Sequence, residues 1–235
     1  LGKGDVLKPV HLSIIIPVLN EGHIINQTLE HLYHLNFSGN FEIIVIDGGF
    51  ERNTIKAITH VGVKKDVASK GRGAQMNKGF SIAEGNLLLF LHADTHLSHD
   101  ALNRILMTMG KKDVIGGAFK LGIESNRVAY RIIEAVANFR SQISRIPYGD
   151  QAIFIERNFF QQVGKYKEIP LMEDVELMRR IKKAGGKIAI IPRQVQTSPR
   201  RWEKEGILRC TLRNWTLITL YFLGASPNKL AKFYK

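Results

Sequence analysis

Three carboxylates in this 235-residue chain, Glu21, Asp47 and Asp94, each follow closely on an apolar run. They lie in the segments Pro17-Val18-Leu19-Asn20-Glu21, Asp47-Gly48-Gly49 and His92-Ala93-Asp94-Thr95. Carboxylates gathered in one crevice repel one another unless a cation, a hydrogen-bond donor or a proton compensates. A metal-bound nucleotide supplies the first two. Each residue alone also has a plain structural use. Asp47 before two glycines shapes a turn, Glu21 suits a helix N-terminus, and Asp94 could cap the turn before the next helix. Three carboxylates at equivalent positions favour a ligand site over three unrelated turns.

Strands must position these residues. Residues 12–16, 42–46 and 86–91 are apolar runs rich in branched side chains, which read as parallel strands buried on both faces. Between them, residues 21–35 carry Ile25, Leu29 and Leu32 at helical spacing, and residues 73–84 carry Met76, Phe80 and Ala83. A further helix is predicted from Ser98 as N-cap through Leu102, Ile105, Leu106 and Met109. This alternation predicts an α/β fold, a doubly wound, mostly parallel sheet with ligands beyond the carboxyl ends of its strands. In the second half, residues 114–120, 152–155 and 187–191 read as strands and 127–143 as a helix. Residues 173–184 form a helix lined by Val175, Leu177, Met178 and Ile181 and stopped by Gly185-Gly186. Residues 203–223 read as one long amphipathic helix. With no repeat or linker, a single domain over 1–235 is expected.

The ordered segments Ser-Ile-Ile-Ile-Pro-Val-Leu-Asn-Glu (13–21), Ile-Ile-Val-Ile-Asp-Gly-Gly (43–49) and Leu-Phe-Leu-His-Ala-Asp-Thr (89–95) resemble the family 2 glycosyltransferases of GT-A fold. Gly-Asp-Gln (149–151) and Glu-Asp-Val (173–175) extend the resemblance over about residues 12–202. The His-Ala-Asp variant is similar to that of a small bacterial subgroup. The resemblance implies a nucleotide-binding half over 12–95, an acceptor and catalytic half over 96–202, and a C-terminal helical extension over 203–235. It implies that Pro17, Asn20, Glu21 and Asp47 hold the nucleotide of a UDP-sugar or GDP-sugar, with the UDP-sugar favoured. Arg72, Gln75, Asn77, Lys78 and Ala93 would contact base or phosphates. Asp94, with His92 beside it, would bind Mn²⁺ or Mg²⁺ as a Lewis acid on the diphosphate. Asp174, next to Glu173 at a helix start, would be the general base for an acceptor hydroxyl. Asp150 and Gln151 would face the acceptor, and Arg200, Arg201 and Trp202 the diphosphate or an acceptor sugar. The expected activity is metal-dependent, inverting sugar transfer.

Three departures qualify these expectations. The usual Asp-x-Asp metal motif reads His92-Ala93-Asp94, and imidazole suits Mn²⁺ better than Mg²⁺. His92 is thus a weak ligand, a neighbour of the ligand or a spectator. After Asp47 the chain reads Phe50-Glu51-Arg52-Asn53-Thr54, with Arg52 where an acid is common. Arg201-Trp202 lack the upstream Gln of the processive members, since Ser198 stands there, which predicts a non-processive enzyme.

The net charge is +13, and residues 193–235 hold nine Lys/Arg against two Glu. That asymmetry points to an anionic partner. A basic amphipathic C-terminus predicts contact with an anionic membrane surface and suits a lipid-linked acceptor. Nucleic acid is the rival partner, but no nucleic-acid-binding motif is present. A catalytically silent nucleotide-sugar-binding relative is the other rival, raised by the altered metal motif. The apolar runs are too short to span a bilayer, and the lone Cys210 fits a reducing compartment. A cytoplasmic protein, peripheral at the inner face of the membrane, is expected.

Overall fold

The computed structural model describes residues 12–234; residues 1–11 and 235, at the ends of the single domain expected over 1–235, lie outside them. The first half alternates β1 (Leu12–Val18), α1 (Ile25–Tyr33), β2 (Phe41–Asp47), α2 (Asn53–Ala57), β3 (Lys64–Val67), α3 (Arg72–Ile82), β4 (Leu87–Phe90), β5 (Thr95–His96) and α4 (Ala101–Met109). The second half runs β6 (Val114–Ile123), α5 (Val128–Ser144), a 3₁₀ turn (Gly149–Gln151), β7 (Ile153–Glu156), α6 (Arg157–Gln162), α7 (Glu173–Lys183), β8 (Lys187–Thr197), α8 (Arg200–Glu205), α9 (Ile207–Phe222) and α10 (Pro227–Ala231).

The strands form one sheet in the order β3-β2-β1-β4-β7-β6-β8-β5. Strands β3, β2, β1 and β4 are parallel, as are β6 and β8. Strand β7 enters antiparallel between β4 and β6, and β5 closes the edge antiparallel to β8. The sheet is therefore mixed but mostly parallel, with the reversal in the half where the sequence pattern is least regular.

Burial on both faces explains the unbroken apolar runs. On one face Ile14, Ile16, Ile43 and Val45 pack with Ile25 and Leu29 of α1 and Leu102 and Ile105 of α4. On the other, Ile15, Ile44 and Ile46 pack with Met76 and Phe80 of α3, Phe160 of α6 and Val175 and Met178 of α7. Alternate residues of one strand thus feed opposite cores.

Several elements differ from expectation for local reasons. Strand β3, Lys-Lys-Asp-Val, is an edge strand too polar to stand out. Ser98 does not cap α4, whose N-cap is Asp100; its hydroxyl donates instead to the Asp100 carboxylate. The single helix expected over 203–223 is two helices. Gly206, at φ +86°, turns the chain between α8 and α9, a conformation open to glycine at little cost. Among the described residues no helix is long and apolar enough to cross a membrane.

Candidate active site

A cavity of about 610 Å³ opens beyond the carboxyl ends of β1 and β4. From the first half it is lined by Pro17, Glu21, Arg72, Gln75, His92, Ala93 and Asp94. Tyr148, Gly149, Asp150, Glu173 and Asp174 close the opposite side, and Arg200, Arg201 and Trp202 enter from α8. Residues distant in sequence meet here because β1 and β4 are adjacent and β7 lies beside β4.

On the first side, Arg200 bridges two acids. Its guanidinium donates twice to Glu21, at 2.7 and 2.9 Å, and its Nε lies 3.1 Å from Asp94 Oδ2. Burial raises the Asp94 pKa, a shift that Arg200 opposes and Glu21 reinforces. Burial, aided by Arg72 and Arg200, drives His92 down to about 3. The imidazole is therefore neutral near pH 7, the state a metal ligand requires. Among the described residues no three His, Cys, Asp or Glu gather into a self-sufficient metal site. Asp94 with a neutral His92 fits a cation whose shell is completed by substrate phosphate oxygens and water.

On the opposite side, α7 begins inside the cavity. Asp174 Oδ2 accepts the Gly149 N–H at 2.6 Å, and Oδ1 accepts the Val175 N–H at 2.7 Å. Gly149 is pinned so tightly that an added Cβ would lie 3.1 Å from His92 Nε2. Beside it, Asp150 Oδ1 is buried and has no hydrogen-bond partner. Burial, then the nearby Asp174 charge, raises the Asp150 carboxyl to about 6, against the pull of Arg140. Two carboxylates with environments this different divide acid–base duties naturally.

Glu173 is buried and pairs with Arg72 Nε at 3.1 Å. Burial raises its pKa while Arg72 lowers it. Replacing Arg72 with Met strands the Glu173 charge. Because the Arg72 side chain is itself 38% exposed, the expected destabilisation at neutral pH is about 2 kcal/mol, below that of a fully buried pair. Denaturant midpoints check this, and the loss should shrink at acidic pH as Glu173 becomes neutral.

Several residues expected at the ligand are instead committed to the scaffold. Asp47 is buried, and its carboxylate accepts the N–H groups of Gly49 (2.8 Å), Thr54 (3.0 Å) and Ile55 (3.3 Å). It caps α2 and does not line the cavity. Gln75 touches the cavity, but its Nε2 donates to the carbonyls of Val18 and Ile46, both at 2.8 Å, tying the ends of β1 and β2. Asn77 exchanges two hydrogen bonds with the Tyr166 backbone, and Lys78 pairs with Asp66 at 3.0 Å. Asn20, at φ +59°, borders a smaller adjoining cleft. Gln151 is buried, holding the Phe119 carbonyl and the Ser141 hydroxyl, so it does not face an acceptor. Arg201 and Trp202 do line the cavity, though Arg201 also pairs with Glu205 and lies over the Tyr234 ring, and Trp202 also packs edge-on against Tyr130.

The cavity also holds groups the motifs did not reveal. Tyr148 lines it, with the Arg140 guanidinium 3.4 Å above its ring, and burial pushes its hydroxyl up to about 12. Arg140 sits in α5, where nothing in the sequence sets it apart from a surface arginine. Lys70, just before the Arg72 helix, was the one detectable from its position beside Gly71.

Comparison with known proteins fits this arrangement. The chain is 25% identical over 219 residues to the probable glycosyltransferase YdaM of Bacillus subtilis, covering 83% of this chain and 50% of that protein. It is 28% identical over 170 residues to a PGL/p-HBAD biosynthesis glycosyltransferase of Mycobacterium bovis, covering 66% and 62%. The chain thus spans only half to three-fifths of the length of these relatives. Among solved structures, the mannosyltransferase PcManGT of Pyrobaculum calidifontis, in complex with GDP-Man and Mn²⁺, superposes with a TM-score of 0.64 at 18% identity, over 81% of this chain and 57% of that one. S. aureus TarS 1-349 with UDP-GlcNAc gives 0.62 at 15%, over 80% and 58%. These likenesses show the GT-A fold. The model of the family described as "Glycosyl transferase family 2" matches residues 13–169, about two-thirds of the sequence, and the chain belongs to that family.

Proposed function

We propose that this chain transfers a sugar from a nucleotide-sugar donor to an acceptor hydroxyl, with a divalent cation, inversion at the anomeric carbon and a single transfer per encounter. The observation that carries the proposal is the two-sided cavity. One wall has Asp94, His92 and Arg200, suited to a cation and a diphosphate, and the other has Asp150 and Asp174, suited to a hydroxyl. The GDP-Man and UDP-GlcNAc held by the two structural neighbours support a nucleotide-sugar donor. A UDP-sugar is the first choice and a GDP-sugar the second.

In this reading Asp94 holds the cation with His92 beside it, Mn²⁺ suiting that pair better than Mg²⁺. Such a cation supplies Lewis-acid stabilisation of the departing nucleoside diphosphate. Arg72 and Arg200 add positive charge near the phosphates. The acceptor oxygen attacks the anomeric carbon from the side opposite the leaving group. The bond from that carbon to the diphosphate oxygen breaks with its electron pair, and the hydroxyl proton passes to a carboxylate. Asp174 and Asp150 share that last duty. Asp174, held by two backbone amides, fixes the Gly149–Asp150 turn. Asp150 is placed to take the proton, because its Oδ1 is unpartnered and its pKa is about 6, while both Asp174 oxygens already accept backbone N–H groups.

Release of nucleoside diphosphate is the test, measured with UDP- and GDP-sugars, Mn²⁺ and a panel of sugar and lipid-linked acceptors. Acceptor-stimulated, EDTA-sensitive release with inverted product configuration supports the reading. A retained configuration, or a covalent sugar adduct on the protein, overturns the displacement mechanism. Donor binding without turnover would favour the silent-relative reading.

A further inference from the structure

Two helices leave apolar stripes facing solvent. Along α5, Val128, Ile132, Val136, Phe139 and Ile143 recur at helical spacing and are between 40% and 74% exposed. Along α9 and its end, Leu208, Leu212, Trp215, Phe222 and Leu223 are between 50% and 79% exposed. The opposite sides of both helices are committed. Tyr130, Glu134, Asn138 and Ser141 of α5 are buried, as are Cys210 and Leu217 of α9. The helices adjoin where Tyr130 meets Trp202 and Ile207. A stripe this regular on one solvent-facing helix is uncommon, and two on neighbouring helices mark an interaction surface.

The charge around the stripes identifies the occupant. No Asp or Glu follows Glu205, while the exposed Arg209, Lys229 and Lys232 do; Arg213 is spent on Glu205. The only acid of α5, Glu134, is buried and bound to the Ile123 N–H and Arg131, leaving Arg127, Arg131 and Arg145 exposed around that stripe. An apolar stripe with a basic rim complements an anionic lipid surface. A second copy of the chain would bring like charges together around the same contact.

We propose that α5 and α9 together form a docking face that seats in the interface of an anionic membrane. The face borders the cavity: Trp202, Asn214, Leu217 and Ile218 line it from α8 and α9, and Tyr148 lines it just beyond α5. A lipid-borne acceptor with its head group at the membrane surface is thereby presented to the catalytic carboxylates. This part of the inference rests on the proposed sugar transfer; the docking itself does not.

The test is co-sedimentation of the 235-residue protein with phosphatidylcholine vesicles, with and without phosphatidylglycerol. Binding is expected to the anionic vesicles only. It should weaken by at least about tenfold in Ile132→Glu/Phe139→Glu, on α5, and in Leu208→Glu/Leu212→Glu, on α9. Circular dichroism and the donor-induced thermal shift should be unchanged in both variants. Failure of the wild type to bind, or equal binding by both double variants, overturns the docking face. A stable dimer in solution that these variants dissociate would overturn it in favour of a second copy. Vesicle binding needs no donor and the donor shift needs no vesicles, so failure of one reading is separable from failure of the other.

Discussion

Asp150→Asn is expected to lower kcat by about 10²–10⁴-fold, the usual worth of a general base, while making the protein more stable. In the folded chain the Asp150 carboxyl titrates at about 6, raised from 3.8 by burial and then by the Asp174 charge. An acid with a raised folded pKa favours the fold when protonated. That contribution is complete below the unfolded pKa and is lost as the pH rises through about 6. At pH 8 the wild type therefore carries a buried charge that asparagine lacks. Removing it should stabilise the protein by up to about 3 kcal/mol, discounted for partial solvent access. The wild-type rate should fall below about pH 6 as the base is protonated. Thermal melts at pH 5 and pH 8, with kcat measured across that range, check both halves. Loss of activity without stabilisation would point to a structural lesion. Wild-type kcat in Asp150→Asn, alongside an inactive Asp174→Asn, would assign the proton to Asp174 alone.

Asp94→Asn is expected to remove the cation dependence of donor binding and to lower kcat/KM by at least about 10³-fold, since Lewis-acid stabilisation of a departing diphosphate is worth several kcal/mol. Asp94 is the carboxylate at the end of β4 that opens on the cavity, and it shares Arg200 with Glu21. The substitution leaves the double contact between Arg200 and Glu21 intact, so the fold should hold. Melting curves with donor plus Mn²⁺ and with donor plus EDTA should coincide in the variant. A cation-dependent shift surviving in Asp94→Asn would place the cation elsewhere.

Strand ends were legible in the sequence because β1, β2 and β4 are buried on both faces and so read as unbroken apolar runs. The reversal at β7 was not, since a four-residue strand of three apolar residues and a glutamate carries no sign of direction. The destination of each polar side chain was legible only in part. Asp94 and Asp47 stand at equivalent strand ends, yet Asp94 opens onto the cavity while Asp47 turns inward. The difference lies in α2, a five-residue helix whose free N–H groups claim the Asp47 carboxylate. Gln75, Asn77 and Gln151 belong to the same class. Each lies in or beside a segment matched to the family, and each donates its amide N–H to a distant backbone carbonyl that the tertiary fold brings near. Tyr148 shows the converse, a cavity residue whose sequence surroundings speak only of packing, with Arg140 of α5 stacked behind it.

The central claim is that this cavity takes a nucleotide-sugar together with a divalent cation. Thermal shift with UDP-, GDP-, CMP- and dTDP-sugars, each with Mn²⁺, Mg²⁺ or EDTA, tests it most directly. A ligand at 100 times its Kd should stabilise the fold by about 2.7 kcal/mol, or roughly 5–10 °C for a domain of this size. Such a shift is expected with one nucleotide class, largest with Mn²⁺ and reduced by EDTA. No shift with any donor in the presence of either cation would contradict it.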